Sequence, residues 1–296
     1  MKVLFIINPC SGRGKIKNEI LNILRVFCKS GYEVTTYVTS GIGEAIKISG
    51  DAKNNGYERI ICCGGDGTLN EVITGVMQKG CDIPISYIPA GTTNDVAKTH
   101  GLSLNLGVAA ANITSSEADF KIDVGNFNNE RYFSYIASFG LFTSVSYKTQ
   151  QNAKNTLGHM AYVFEGIANL SNIEDYSVSF TADDKEYKGD YIYGGITNSI
   201  SVGGIFKYDA EFVDLNDGLF EVLMIKKPQN GNDIMKIVSG VASGDFSDST
   251  VFDFCKAAKI TLNMPKGVVW TLDGEAADGK KITVIENIHS AITFIK

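Results

Sequence analysis

The sequence predicts an α/β protein: an N-terminal doubly wound parallel-sheet domain followed by a C-terminal β-sandwich domain. Up to about residue 115, apolar runs of strand character alternate with segments of helical periodicity, which is the pattern of a parallel sheet. From Asp119 onward, short alternating runs follow one another and helical segments become few, as in a sandwich. Glycine-rich polar loops follow the strands of the first part, the place where open parallel sheets bind ligands. The division is expected at 1–125 and 126–296. No Pro- or Ser-rich linker separates the halves, so they are expected to meet across a tight cleft.

In order, Lys2–Asn8 reads as an apolar strand. Ile16, Ile20, Ile23, Leu24 and Phe27 then recur at helical spacing up to Ser30-Gly31. Glu33–Thr39 is a β-branched strand, and a weaker helix containing Gly50 starts at Gly43. The run Ile60–Cys63 enters Gly64-Gly65-Asp66-Gly67-Thr68, and Thr68 with Glu71 reads as a capping box. Pro84–Ile88 runs into Gly91-Thr92-Thr93-Asn94-Asp95, after which a helix resumes. Phe120–Phe127 and Arg131–Ser138 flank Asn128-Asn129, a hairpin signal. A helix is expected over Gln150–Leu170. Strands follow near Tyr176–Thr181, Glu186–Thr197, Leu219–Ile225, Ile260–Met264, Val268–Leu272, Ile282–Ile285 and Ala291–Ile295, with one helix around Ile234–Val241.

The 296 residues are 44% hydrophobic and 20% charged, which is ordinary globular composition with enough apolar material for sizeable cores. A net charge of −6 disfavours nucleic acid as a partner and simple electrostatic adhesion to anionic membranes, leaving room for a local patch. No apolar run approaches the ~18 residues of a membrane span, and the apolar start is too short for a signal-peptide core. Six cysteines without CxxC spacing read as buried thiols of a reducing compartment, hence a cytoplasmic protein.

The glycines of Gly64–Thr68 allow backbone amides close to a ligand, and a helix N-terminus adds donors and partial positive charge. Asp66 would repel phosphate unless a divalent cation, most naturally Mg²⁺ with retained water, lies between them. The segment thus suggests nucleoside triphosphate and metal together; its plain alternative is a strand-to-helix turn with a solvated aspartate. Gly91–Asp95 repeats the same logic, or simply caps a helix. Asn8–Lys15 is neither a Walker A loop nor a dinucleotide fingerprint, yet it can offer amides and a cation. Asp214–Leu219 and Trp270–Glu275 read as turns or as oxygen-rich sites. His100, His159 and His289 lack zinc spacing and read as structural or exposed.

Together these pieces resemble the diacylglycerol kinase catalytic family, in particular its small bacterial lipid kinases, with sphingosine and ceramide kinases as relatives. The resemblance rests on Asn8-Pro9 with Ser11-Gly12, Thr39, Gly64–Thr68 with Asn70-Glu71, and Gly91-Thr92-x-Asn94-Asp95. It continues through Ile122–Gly125, Leu157-Gly158 with Tyr162, Gly203-Gly204, Asp217-Gly218 and Asp273-Gly274-Glu275, nearly the whole chain. One departure falls at Phe206–Ala210, where many relatives carry a proline; it leaves the acceptor pocket less defined.

The resemblance implies a Mg²⁺- and ATP-dependent lipid kinase acting on an acceptor such as diacylglycerol at a membrane surface, with a homodimer compatible. It implies nucleotide contacts from Thr39, Gly64, Gly65, Asp66, Gly67, Thr68, Leu69, Asn70 and Thr92. Asp66, Asp95 and Asp123 would hold the catalytic Mg²⁺ through water. Asp214, Asp217 and the Leu219 carbonyl would hold a structural Mg²⁺, and Glu275, with Asp66, would be catalytic, Glu275 as general base. An apolar entrance could come from Phe139, Leu141, Phe142, Ile205 and Phe206, residues equally suited to a core. The competing readings are a kinase of a soluble acceptor, as in NAD kinases, and a non-catalytic nucleotide or lipid sensor.

Overall fold

The computed structural model describes residues 1–115, 119–141, 174–202, 206–208 and 213–296. The helix expected at 150–170, the Leu157, Gly158 and Tyr162 positions, Phe142, and residues 203–205 and 209–210 lie outside them. The chain forms two compact units, Met1–Val124 with His289–Lys296, and Gly125–Ile288. The boundary expected at 125/126 therefore lacks one feature: the last eight residues return to the first unit. They do so because Phe294 pairs in parallel with Ile85.

In the first unit, β1 (Lys2–Ile7), β2 (Glu33–Val38), β3 (Arg59–Gly64) and β4 (Ile85–Pro89) form a parallel sheet in the order β2-β1-β3-β4. Leu4 pairs with both Thr35 and Ile60, which fixes the register. β1, β3 and β4 are almost wholly apolar and buried, as strands covered on both faces must be. On one face α1 (Ile16–Lys29) and α5 (Leu106–Ser115) pack Ile16, Ile23, Phe27, Ala109 and Ile113 against Val3, Phe5, Ile61 and Cys63. α2 (Glu44–Gly50) and α3 (Asp66–Lys79) pack on each other, and α4 (Asp95–Thr99) follows β4. The capping box does not form. α3 begins at Asp66 with Gly65 as its cap residue, so Thr68 and Glu71 lie inside the helix and their side chains bond elsewhere.

The second unit is antiparallel. The Asn128-Asn129 hairpin joins β5 (Asp119–Phe127) to β6 (Arg131–Phe133), both asparagines at positive φ as that turn requires. The single strand expected over Arg131–Ser138 is broken at Ser134-Tyr135, and β7 (Ile136–Gly140) follows. β8 (Tyr176–Ala182) and the long β9 (Lys185–Thr197) form a hairpin, with β10 (Ser201–Val202) and β11 (Phe206–Lys207) a separate short pair. β12 (Phe220–Lys226) lies between β9 and β13 (Phe252–Ala257), and α6 (Gly231–Ser243) connects them. β14 (Lys259–Asn263), β15 (Val269–Leu272), β16 (Glu275–Asp278) and β17 (Ile282–Ile295) complete the chain. The two terminal strands expected from sequence are one continuous strand.

Trp270 anchors the core, its ring 4.8 Å from Phe139 and 5.3 Å from Phe127. Phe139 and Phe206 are core residues, Phe206 stacked on Tyr193 at 4.8 Å, so neither supplies the apolar entrance; Leu141 packs on the cluster around Tyr193. Cys62, Cys63 and Cys81 are buried as expected, whereas Cys10 and Cys28 are exposed; all six are free thiols. Burial pushes the Cys63 thiol up to about 12. Among the described residues no helix is long and apolar enough to cross a membrane.

Candidate functional site

The Gly64–Thr68 turn is the hub of the first unit's loops. Its backbone touches that of the loop after β4: a Cβ on Gly91 would lie 2.6 Å from the Gly65 Cα. Only glycine allows that approach. The loop after β1 closes in from the other side. Gly12, at φ +54, has no room for a side chain beside the Ala90 carbonyl, and the Gly65 N–H donates to Ser11 Oγ at 3.2 Å. Asn8 Nδ2 donates to Thr68 Oγ1 at 2.9 Å, while Asn8 Oδ1 accepts the Cys10 N–H at 3.0 Å. Thr39 leaves β2 with its N–H bonded to the Ile7 carbonyl at 2.8 Å. Asn94, in left-handed backbone, closes its own turn by exchanging hydrogen bonds with Gly91. Gly67 and Leu69 complete the first turn of α3, whose leading amides have no intrahelical acceptor. Asn70 is buried beside them and Thr92 is exposed.

Asp66 is not the solvated loop acid that the alternative reading assumed. It is 8% exposed, and its carboxylate accepts the Asp95 N–H at 3.0 Å and the Val96 N–H at 3.3 Å. It therefore caps α4, whose own cap residue Asn94 makes no side-chain capping bond. Asp95 is 2% exposed with Lys98 Nζ 3.6 Å away. Asp123 is fully buried in β5. Its Oδ1 accepts the Ser290 N–H at 2.7 Å and lies 3.1 Å from His289 Nδ1. His289 thus has a buried carboxylate partner that its sequence context did not signal, since that partner is far away in the chain.

Among the described residues, no group of three or more His, Cys, Asp or Glu side chains is gathered closely enough to hold a metal ion directly. Asp66, Asp95 and Asp123 offer hard carboxylate oxygens, a donor set suited to Mg²⁺, which keeps several waters and binds through few carboxylates plus substrate phosphates.

In the second unit, Asp214 Oδ1 accepts the Asn216 N–H at 3.1 Å and Asp217 Oδ1 the Leu219 N–H at 2.9 Å, a compact oxygen-rich turn. Asp217 Oδ2 is 2.9 Å from Lys256 Nζ, which also lies 3.5 Å from Glu221. Glu221 is fully buried, and burial pushes its carboxyl up to about 7 against the pull of Lys256. Glu275 is exposed at the first position of β16. Its neighbour Asp273 is buried at φ 48 and accepts from Ser134 N (2.6 Å), Ser134 Oγ (2.8 Å), Tyr135 N (3.0 Å) and Ile136 N (3.0 Å). Burial raises its carboxyl above the usual range, opposed by these bonds. This clamp breaks the expected strand at Ser134-Tyr135 and fixes the turn that presents Glu275.

The diacylglycerol kinase catalytic domain family matches residues 2–127, and the YegS C-terminal NAD kinase beta sandwich-like domain family matches residues 136–294. A diacylglycerol kinase of Bacillus subtilis (strain 168) is 30% identical over 287 residues, covering 96% of this chain and 94% of its own. One of Staphylococcus aureus (strain bovine RF122 / ET3-1) is 30% identical over 91% of this chain and 84% of its own. A solved structure from Bacillus anthracis str. Sterne, described as a candidate diacylglycerol kinase, superposes with TM-score 0.81 at 26% identity, over 99% of this chain and 94% of that one. Both halves match in order and the likeness runs the length of the chain, so the protein belongs to the bacterial diacylglycerol kinase family of lipid kinases.

Proposed function

We propose that this protein transfers the γ-phosphoryl group of ATP to a hydroxyl of a lipid acceptor such as diacylglycerol, working as a peripheral enzyme at a membrane surface. The observation that carries the reading is the backbone-to-backbone approach of Gly65 and Gly91 beside the N-terminus of α3, a surface of amides that a side chain would fill. Gly64, Gly65, Gly67, Thr68, Leu69 and Asn70 would surround the phosphates, with Thr39 and Thr92 at the nucleotide's flanks. Asp66, Asp95 and Asp123 are assigned to the water shell of a Mg²⁺ ion, which when bound supplies charge neutralisation for the phosphates. Asp214, Asp217 and the Leu219 carbonyl are assigned to a structural cation.

Phosphoryl transfer asks the protein mainly to align acceptor, phosphorus and leaving oxygen. Glu275 is assigned the acceptor's proton. As it takes that proton, the lipid oxygen bonds to the γ-phosphorus and the bond to the β–γ bridging oxygen breaks, so ADP leaves with the electron pair. Exposure of Glu275 and the rigid Asp273 clamp behind it support this role. The test is incubation of purified protein with γ-labelled ATP and a panel of lipid alcohols in mixed micelles, with NAD as the soluble comparator. Label in a phosphorylated lipid is the expected result. Label in NAD alone, or in no acceptor, overturns the reading.

A further inference from the structure

We propose that Glu71 is a positioning residue for the nucleotide, acting through the loop between β2 and α2; this rests on the ATP-dependent reading above and deepens it. Glu71 is in the second turn of α3, and neither of its oxygens serves its own helix terminus. Oε1 accepts the Gly43 N–H at 2.9 Å and Oε2 the Ala45 N–H at 3.3 Å. These amides open α2, whose cap residue Gly43 has no side chain to accept them. The leading amides of a helix need outside acceptors, and a carboxylate there also meets the positive end of the helix dipole.

A second carboxylate closes the same loop from within. Glu44 turns back to accept from Ser40 Oγ at 2.6 Å and from the Ser40 N–H at 2.9 Å, and these bonds hold its carboxyl below the usual range. The loop has little apolar anchorage: Ile42 at its tip is 95% exposed. Its entry is fixed to β1 through Thr39 and Ile7, and its exit is fixed to α3 through Glu71. α2 also rides directly on α3. A Cβ on Gly75 would overlap the Ile46 carbonyl, and Ser49 Oγ donates to the Val72 carbonyl at 3.0 Å. One helix therefore begins in the Gly64–Thr68 turn and, through Glu71, fixes the α2 end of the loop whose other end, Thr39, is held by β1. Glu71 itself lies beyond the turn and is not assigned to the phosphates.

The test compares wild type, Glu71→Ala and Glu71→Gln by MgATP titration calorimetry, steady-state kinetics and amide hydrogen exchange. Glu71→Ala should weaken ATP binding and raise KM for ATP by roughly tenfold to a hundredfold, the factor carried by one or two hydrogen bonds to a charged group. Its kcat at saturating ATP should stay within about threefold of wild type, the signature of lost positioning rather than lost chemistry. Glu71→Gln retains an acceptor and should fall between. Exchange at Gly43 and Ala45 should quicken in both variants while the amides of α3 stay protected, which separates loop release from general unfolding. ATP affinity within about twofold of wild type in Glu71→Ala, or a fall in kcat with unchanged KM, overturns the proposal. Wild-type protein that binds no ATP removes the nucleotide reading together with the purpose given to Glu71. Equal ATP binding by wild type and variants removes only the latter.

Discussion

Asp66 and Asp95 are joined through the backbone: a side-chain oxygen of the first accepts the N–H of the second at 3.0 Å. The acid at the centre of the Gly64–Thr68 turn is thus also the cap of the helix that follows the neighbouring loop. Asp66→Ala should abolish lipid phosphorylation and also cost about 0.5–2 kcal/mol of stability, the range for losing a helix cap. Asp66→Asn keeps one acceptor and should be equally inactive but closer to wild type in stability. Denaturant unfolding alongside the kinase assay checks both. Unchanged stability in Asp66→Ala would show the capping bonds to be worthless; an active Asp66→Asn would reduce the motif to a turn.

Glu275 and Asp273 are expected to fail in different ways. Glu275→Gln keeps shape but removes the proton acceptor, so kcat should fall by roughly 10²–10⁴ while ATP binding is unaltered. An exposed side chain of this kind should change stability by less than about 0.5 kcal/mol. Asp273→Ala strands the buried donors of Ser134, Tyr135 and Ile136 and should cost on the order of 1–3 kcal/mol or more. Single-turnover phosphorylation with parallel unfolding curves separates the two. An unimpaired chemical step in Glu275→Gln removes it from the mechanism.

The Asp214–Leu219 turn gives a metal-dependent expectation. A cation bound only by the folded protein raises Tm by mass action, so wild-type Tm should rise with Mg²⁺ and fall with chelator. Asp217→Ala should lower Tm and abolish the Mg²⁺ response together, since it removes a carboxylate assigned above to the proposed cation and also the partner of Lys256 beside buried Glu221. A wild-type Tm that stays flat from chelator to excess Mg²⁺ would remove the stabilising cation.

His100 carries a pH dependence. Its ring is 5.0 Å from Phe120, and burial, with Lys296 adding to it, pushes its pKa down to about 4 from 6.5. Between those values the unfolded chain binds the proton and the folded protein does not, so stability falls as pH falls. His100 costs nothing above pH 6.5, and its penalty grows down to about pH 4. In thermal melts, wild type should lose ground to His100→Phe as pH drops through that window. A constant difference between the two would show that the imidazole protonates freely in the folded state.

The parallel sheet was legible because buried strands and amphipathic helices differ in period, and each period is local. The four polar loops could be placed for the same reason: in an open parallel sheet, ligand loops follow strand ends. The Asn128-Asn129 turn was equally local, written in two residues that tolerate positive φ. What Glu71 does was not local. Its spacing from Thr68 fits a capping box, but α3 starts at Asp66, and Glu71 reaches amides 26 and 28 residues earlier in the chain. Asp66 reads from sequence as a metal-linked acid or, alternatively, a solvated one, and that it caps α4 shows only once that helix is in place. Asp273 looked like half of a turn, whereas its carboxylate is spent on backbone more than 130 residues away and interrupts a strand that sequence alone would run straight through. A carboxylate's acceptors are fixed by chemistry, but which amides reach them is decided by packing. The sequence therefore determined the elements and the chemical types at their ends, and only the tertiary structure decided which acid caps the helix after the next strand, which accepts amides of a preceding helix, and which clamps a break between two strands.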